Sequence, residues 1–342
     1  MDQLTRRAVL GAAAAATLVA SLPATAQGVV NVYTNREPGL YSATLDEFTK
    51  KTGVKVNALF SEQGLAERIR AEGANSPADV LITVDIGRLQ EAVDLGIVQP
   101  VKWAEAEKNI PARYRDPEGR WFGLSLRART VYASKDRVGQ DAITYEELAD
   151  PKWKGRICTR SFQHPYNIAL VAAFIQKHGE ARTEEWLRGV RANLAKRPSG
   201  GDRDVAKDIG AGVCDIGLGN QYYVGLMRSG TNPEQRKWAD AIRVILPRFE
   251  GGGTHINVSG MVVARHAPNR DNAIKLLEFM TSPEAQRVFA DVNYEYPVRP
   301  GVPVNELVKS FGALEADPMA VADYARQRAK ASELVDKVAF DR

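Results

Sequence analysis

Histidine and cysteine are scarce in this chain of 342 residues, which contains four histidines and two cysteines. No histidine stands in the His-x-x-x-His or Cys/His spacing of a catalytic zinc site. The sequence also lacks a Gly-x-Ser-x-Gly elbow, a phosphate-binding loop and a complete dinucleotide fingerprint. These absences leave no nucleophile and no acid-base pair for catalysis, so we expect a protein that is not an enzyme.

Charge of one sign is not in excess either. The formal net charge is +4 and is spread evenly along the chain, without the basic stripe that binds nucleic acid. Beyond the first residues, no run approaches the roughly 20 apolar residues that a membrane-spanning helix needs. We therefore expect a soluble mature protein without a nucleic-acid partner.

The N-terminal segment has the pattern of an export signal. Arg6 and Arg7 precede the alanine-rich apolar run 8–22, and the triplet 24–26 (Ala-Thr-Ala) is typical of a cleavage site. The twin arginines ahead of a weakly hydrophobic run favour the twin-arginine route over the general one. We predict a signal over residues 1–26, cleavage near Ala26 and a periplasmic mature protein.

The two cysteines, Cys158 and Cys214, each end an apolar segment that resembles a strand. In an oxidising compartment an even number of cysteines favours a single disulfide bond. A metal site made by the two cysteines is the weaker alternative, because neither has a histidine or a third cysteine near it in sequence.

Strands alternate with helices along the chain, which predicts an α/β fold with a mainly parallel sheet and ligands at the carboxyl ends of its strands. The length indicates two lobes. We predict two hinge crossings, near Val131 and Gly260, with an N-terminal lobe of residues 27–130 plus 255–300 and a C-terminal lobe of residues 131–254 plus 301–342. The clearest strands are predicted at 29–33, 54–60, 78–83 and 213–218, and the clearest helices at 40–52, 64–72, 88–95, 167–178 and 182–194.

The most informative motif is the adjacent pair Tyr222 and Tyr223. Neighbouring side chains on a strand point to opposite faces, so two phenols converge only at a turn or a helix start. A predicted strand followed by a turn at Gly219 and Asn220 supplies that geometry. Deprotonated phenols are hard anionic ligands, for which ferric iron is the obvious cation. The alternative is an ordinary aromatic pair packed against a core.

Several motifs together resemble those of periplasmic ferric-iron-binding proteins, the solute-binding components of ABC importers. The resemblance covers nearly the whole mature chain and depends on the order and spacing of segments that are weak individually. These segments are 32–40, 76–85, 124–129, 153–158, the tyrosine pair and 293–298.

The resemblance implies the two-lobed fold of periplasmic binding proteins, Fe(III) as the bound solute, and an inner-membrane ABC permease with its ATPase as partners. We expect a monomer. The implied metal ligands are Tyr222, Tyr223 and a third tyrosine that corresponds to Tyr166. Family members often have a histidine in the first lobe where this chain has Glu37, so Glu37 is the candidate carboxylate ligand.

Arginines lie where the resemblance places the cleft, namely Arg36, Arg127 and Arg129. Because tyrosine has a pKa of about 10 and must ionise to bind a metal, nearby cations help to stabilise the phenolates. The arginines are also candidates for holding a synergistic anion such as carbonate; a solvated surface pair is the ordinary alternative for Arg127 and Arg129. The competing function is a binding protein for a small organic anion, such as a sugar phosphate, without metal.

Overall fold

The computed structural model describes residues 28–342. The predicted export signal lies outside this range, so its type and its cleavage site stay predictions. In the described part the strands are β1 (Val29–Thr34), β2 (Lys55–Phe60), β3 (Val80–Thr83), β4 (Phe122–Ser134), β5 (Ile157–Cys158), β6 (Ile216–Asn220), β7 (Ile242–Ile245), β8 (Ile256–Val263) and β9 (Tyr296–Pro297).

Helices cover the strands, and no helix in residues 28–342 is long and apolar enough to cross a membrane. Short 3-10 turns occur between them. The α-helices are α1 (Ser42–Thr52), α2 (Leu65–Glu72), α3 (Ile86–Asp94), α4 (Ala104–Asn109), α5 (Pro165–Ala192), α6 (Asp202–Gly210), α7 (Gln221–Ser229), α8 (Pro233–Asp240), α9 (Arg270–Met280), α10 (Pro283–Asn293), α11 (Glu306–Lys309), α12 (Val321–Ala325) and α13 (Arg328–Lys337).

The strands form one long, shared sheet in the order β2-β1-β3-β8-β4-β6-β5, with β7 and β9 also paired to β4. The pairs β1–β2, β1–β3 and β5–β6 are parallel, as expected for strands joined by helices. Every pair that includes β4 or β8 is antiparallel. The prediction of a mainly parallel sheet is therefore wrong for the centre of the molecule, where the two crossing strands run against their neighbours.

Strand β4 connects the two halves of the sheet. Its first half, from Phe122 to Ala128, pairs with β8, and its second half, from Arg129 to Ser134, pairs with β6 and β7. All thirteen residues are buried. The change of partner between Ala128 and Arg129 lies close to Val131, where the first crossing between the lobes is predicted.

The two helices predicted at 167–178 and 182–194 form α5, which breaks at Gly179. The backbone of Gly179 (φ 79°, ψ 168°) is not helical. Glycine has no side chain to obstruct this conformation, so the helix changes direction there. The C-terminal helices α12 and α13 pack along α5, and α12 also contacts α3. The lobe boundaries given above stay predictions.

Cys158 and Cys214 form a disulfide bond, with Cα atoms 5.8 Å apart, as the sequence predicted. Cys158 ends β5, but Cys214 precedes β6, which starts at Ile216 rather than Val213. The observed strand, Ile216–Asn220, therefore begins and ends a few residues later than the predicted strand 213–218. Since β5 and β6 are parallel neighbours, the disulfide fastens the two strands that lead toward Tyr166 and the tyrosine pair.

We predict that replacing both cysteines by alanine lowers the free energy of unfolding by about 2 to 4 kcal/mol. The physical reason is the entropy regained by the unfolded chain, because the disulfide spans 56 residues. Urea unfolding of the mature protein, with and without the substitutions, measures the effect. Identical midpoints with unchanged urea dependence would contradict the prediction.

Candidate functional site

The tyrosine pair lies in the first turn of α7, directly after β6. The buried strand β6 extends through Asn220, so the predicted turn at Gly219 and Asn220 is in fact its last two residues. The ring of Tyr132 fills the space beside Gly219, where a Cβ atom would lie only 2.1 Å from the ring. Tyr222 and Tyr223 stand with ring centroids 4.3 Å apart. Thus a helix start, as predicted, brings neighbouring phenols to one side.

Tyr166 lies in the first turn of α5, and it reaches the same place from another part of the chain. Pro165 occupies the first turn, and the Nδ1 atom of His164 accepts a hydrogen bond from the backbone nitrogen of Tyr166 at 3.3 Å. The hydroxyl oxygens of Tyr166 and Tyr222 are 3.2 Å apart. The three tyrosines are buried together in a cluster of their own, apart from the main hydrophobic core.

A cavity of about 310 Å³ opens beside the three tyrosines. Segments predicted to belong to opposite lobes form its walls. Both positively and negatively charged side chains line it. The residues that line it are Asn35, Arg36, Glu37, Leu40, Phe60, Glu62, Gln63, Val84, Arg88, Arg127, Arg160, His164, Pro165, Tyr166, Tyr222, Tyr223 and Glu295.

Three carboxylates of the predicted N-terminal lobe face this cavity, those of Glu37, Glu62 and Glu295. Glu37, the candidate ligand from sequence, is exposed and precedes a 3-10 turn that starts at Pro38. Glu62, also exposed, follows β2 and lines the same space. Tyr41 is buried in the main core and does not line the cavity. On this side of the cavity Glu37 and Glu62 are exposed, whereas Glu295 is buried and paired with Arg36.

Arg36 and Arg127 form a buried ion-pair network at the floor of the cavity. Both guanidinium groups contact the carboxylate of Glu295, Arg127 at 3.4 Å, and both donate hydrogen bonds to the hydroxyl of Ser259. The centre of the Arg127 guanidinium lies 5.8 Å and 6.0 Å from the ring centroids of Tyr166 and Tyr222. Two cations share one carboxylate, so this floor carries an excess of positive charge next to the phenols.

Arg129, although only two residues away, does not reach the cavity. Its Nη1 donates to the carboxylate of Asp202 at 2.6 Å and to the side chain of Asn220 at 3.1 Å, and its Nε donates to Asn167 at 3.0 Å. Asn167 follows Tyr166 in the sequence, and Asn220 directly precedes α7. The structure thus places Arg129 behind the tyrosines, as a support for both elements that carry them.

Arg160 is a residue that sequence reasoning missed. Its guanidinium group lies 5.3 Å from the ring centroid of Tyr166 and 3.4 Å from the carboxylate of Asp202. Its Nε atom is buried without a hydrogen-bond partner among the described residues. A second missed arginine, Arg203, lies 4.7 Å from the ring of Tyr223. Only the fold unites these positions, because the sequence has no motif that connects them.

Burial favours the neutral form of the Tyr222 and Tyr223 phenols, because it raises the pKa of each. Desolvation raises the pKa of Tyr222 well above 10, and the neighbouring Tyr166 and Tyr223 raise it further, although Arg127 opposes them. Desolvation likewise raises the pKa of Tyr223, and Arg160 opposes it. Burial, with Arg160 nearby, lowers the pKa of His164 to about 3, so this imidazole is neutral at physiological pH.

Asp202 behaves in the opposite way. Its burial disfavours the charged form, but the ion pairs with Arg129 and Arg160 outweigh that cost and lower the pKa of Asp202. The backbone nitrogen of Asn220 donates to the same carboxylate at 2.9 Å. Within residues 28–342 there is no cluster of three or more His, Cys, Asp and Glu side chains suited to a metal ion.

Known proteins resemble this chain in sequence and in structure. Residues 75–328 match the family described as bacterial extracellular solute-binding proteins. Iron uptake protein A1 of Synechocystis is 42% identical over 316 residues, covering 92% of this chain and 88% of that protein. A Bordetella ferric binding protein has a TM-score of 0.85 and 54% identity, over 92% of this chain and 100% of its own. A Trichodesmium protein solved with iron and citrate ligands has a TM-score of 0.87 and 44% identity, over 92% and 100%.

We predict that the metal-free protein loses stability as the pH rises above about 10. The folded state raises the pKa of Tyr222 above its unfolded value of 10.0, so the proton-linked stability is complete below that value and disappears above it. The Tyr222→Phe variant has no phenol to ionise, so its stability should fall less between about pH 9 and pH 11. Urea midpoints of both proteins across this range test the difference, and parallel curves would contradict it.

Proposed function

The chain belongs to the family of bacterial extracellular solute-binding proteins, and we propose that it captures ferric iron in the periplasm through Tyr166, Tyr222 and Tyr223. The earlier resemblance to the ferric-iron-binding branch and the two-lobed α/β fold are both confirmed. The single observation that carries the ligand assignment is the convergence of three buried phenols on one cavity.

Phenols are poor ligands until they ionise, and this property selects the cation. A buried phenol with a raised pKa gives up its proton only to a small ion of high charge. Fe(III) meets this requirement better than divalent ions, which attract oxygen anions less strongly. The positive floor formed by Arg36 and Arg127 then stabilises the phenolates, since it carries two cations for one carboxylate.

Three phenolates leave positions on the metal open. We propose that Glu37 occupies one of them, with Glu62 as a second carboxylate within the same cavity. The Arg160 guanidinium, which has an unpaired buried Nε, supports the proposal that a synergistic anion such as carbonate completes the shell. Arg127 is the other arginine that lines the cavity close to the phenols. Arg129 is engaged with Asp202 and serves as a support.

The competing proposal of a small organic anion without metal has less support. An anion binder uses arginines and helix N-termini, but it gains nothing from three phenols that meet at one point. Iron uptake protein A1 of Synechocystis and the Bordetella ferric binding protein, both described above, are iron proteins by name. Binding proteins of this kind present a solute and do not transform it, so we propose no enzymatic activity.

Delivery of the metal completes the proposal. We propose that the mature protein is exported by the twin-arginine route, acts as a monomer, and passes iron to an inner-membrane ABC permease and its ATPase. Ligands from both lobes bind best when the cleft is closed, so iron shifts the protein toward that state. We propose that the motion bends near Val131, just after β4 changes partners, and near Gly260 on β8.

Substitution by phenylalanine separates a metal ligand from a core aromatic. Tyr222→Phe and Tyr223→Phe keep the ring but remove the only atom that coordinates, so iron affinity should fall by orders of magnitude while the fold persists. A core hydroxyl lost in this way would cost about 1 kcal/mol of stability and leave iron binding intact. Competition with citrate, read from the visible absorption of the iron–phenolate complex, gives the affinity.

Tyr41→Phe is the matched control, because Tyr41 is a buried tyrosine outside the cavity. It should retain the affinity and the visible band of the unsubstituted protein. If Tyr222→Phe and Tyr223→Phe behave like this control, the tyrosines are not the ligands.

Iron affinity should rise with pH. Each phenol that binds as phenolate releases one proton, so the logarithm of the association constant should increase by as much as about three per pH unit near neutrality. Citrate competition between about pH 6 and pH 8, corrected for citrate protonation, measures the slope. Each Tyr→Phe variant that still binds iron should lose about one unit of slope. A slope near zero would show that no phenol ionises on binding.

A further inference from the structure

Tyr294 has an unusual backbone conformation at the end of α10. Its φ of 57° and ψ of 29° place it in the left-handed region, which a bulky residue seldom adopts. Such a conformation persists only where the surroundings maintain it. Tyr294 belongs to the segment 293–298 that the sequence comparison singled out, yet it does not line the iron cavity. Tyr294 is therefore not a candidate metal ligand.

The ring of Tyr294 sits in a notch on α7 that exists because residue 225 is glycine. A Cβ atom on Gly225 would lie 2.3 Å from the Cγ atom of Tyr294 and 2.6 Å from its Cβ atom. These distances are far below van der Waals contact. Helix α10 packs against α1 and α9 of the predicted N-terminal lobe, whereas α7 belongs to the predicted C-terminal lobe. The notch is thus a close contact between the two lobes.

Gln221 ties the same helix to the same residue by hydrogen bonds. Its side-chain nitrogen donates to the carbonyl oxygen of Tyr294 at 3.1 Å, and its side-chain oxygen accepts from the backbone nitrogen of Ala128 at 2.8 Å. Gln221 is completely buried. Ala128 is the last residue of β4 that pairs with β8, so Gln221 connects α7 both to the crossing strand and to the opposite lobe.

We propose that Tyr294, Gly225 and Gln221 form an interlobe key that sets the position of Tyr222 and Tyr223. The two tyrosines stand between Gln221 and Gly225 on a little more than one helical turn. Both ends of that turn are fixed against Tyr294, so the key determines where their oxygens lie relative to Tyr166. These are positioning residues and not ligands. The proposal rests on the function proposed above.

Gly225→Ala is the direct test. The added methyl group must displace the Tyr294 ring or tilt α7, and either movement shifts the phenol oxygens. We expect iron affinity to fall about 10- to 100-fold, with a shift of the visible band. The loss cannot come from a weaker helix, because alanine favours helix more than glycine. Gly210→Ala is the matched control on α6, where the added Cβ would meet Ala241 at an ordinary 3.4 Å; it should bind iron normally.

A second substitution that restores iron binding distinguishes a clash between residues 225 and 294 from general damage to the fold. Tyr294→Asn removes the ring, and asparagine tolerates the left-handed conformation. The double variant with Gly225→Ala and Tyr294→Asn should bind iron within a few-fold of Tyr294→Asn alone, and more tightly than Gly225→Ala. Should Gly225→Ala fail to fold, the double variant should fold and bind. Normal affinity in Gly225→Ala, or a double variant no better than Gly225→Ala, would overturn the proposal.

Failure of the key and failure of the iron function give different results. If the unsubstituted protein develops no visible band with ferric citrate, the proposed function fails. The key is still measured in the metal-free proteins, where a double-mutant cycle on urea midpoints should show that the effects of Gly225→Ala and Tyr294→Asn are not additive. Additive midpoints would refute the contact itself.

Discussion

The ion pair between Asp202 and Arg129 is the interaction on which the tyrosine site depends. Both groups are almost fully buried, and a buried charge is stable only if it is paired and hydrogen-bonded. Asp202 meets this need with Arg129, Arg160 and the backbone nitrogen of Asn220, while Arg129 also bonds Asn167. Through Arg129, the Asp202 carboxylate is connected to Asn167, the residue after Tyr166. It also contacts the backbone of Asn220, the residue before α7, and Arg160, whose guanidinium group lies near the Tyr166 ring. Loss of Asp202 would remove the carboxylate that compensates the buried charge of Arg129 directly behind the three tyrosines.

Arg127 and Arg129, both on β4, are anchored to different parts of the sheet. Arg127 is anchored to Glu295 and Ser259, on the side of β8 and β9, whereas Arg129 is anchored to Asp202, on the side of β6. The strand changes pairing partners between them. Bending at this point would move one anchored arginine relative to the other while each keeps its own buried partner. The charge network can thus remain intact in both lobes when the cleft changes its width.

The sequence predicted the parts of the site that depend on local rules. A buried strand followed by a helix start brought Tyr222 and Tyr223 together, and compartment chemistry predicted the disulfide. Tyr166 came from the resemblance, not from spacing. Arg160 and the buried side of Arg129 could not be predicted, because the pairing with Asp202 joins segments far apart in sequence. The antiparallel centre of the sheet was missed for a similar reason: alternating strands and helices describe the two ends, but the crossing strands β4 and β8 follow no such local pattern.

Gly219 has a consequence for which positions around the cavity tolerate substitution. The Tyr132 ring occupies the space beside it, and the Tyr132 hydroxyl donates to the carbonyl oxygen of Asn220 at 2.5 Å. A side chain at position 219 would have to push aside a ring that also holds the end of the strand. Glu37, by contrast, is exposed and forms no hydrogen bond that fixes its side chain among the described contacts. Substitution is therefore sterically restricted on the wall with the tyrosines, whereas the exposed Glu37 on the facing wall can be replaced without displacing a packed ring.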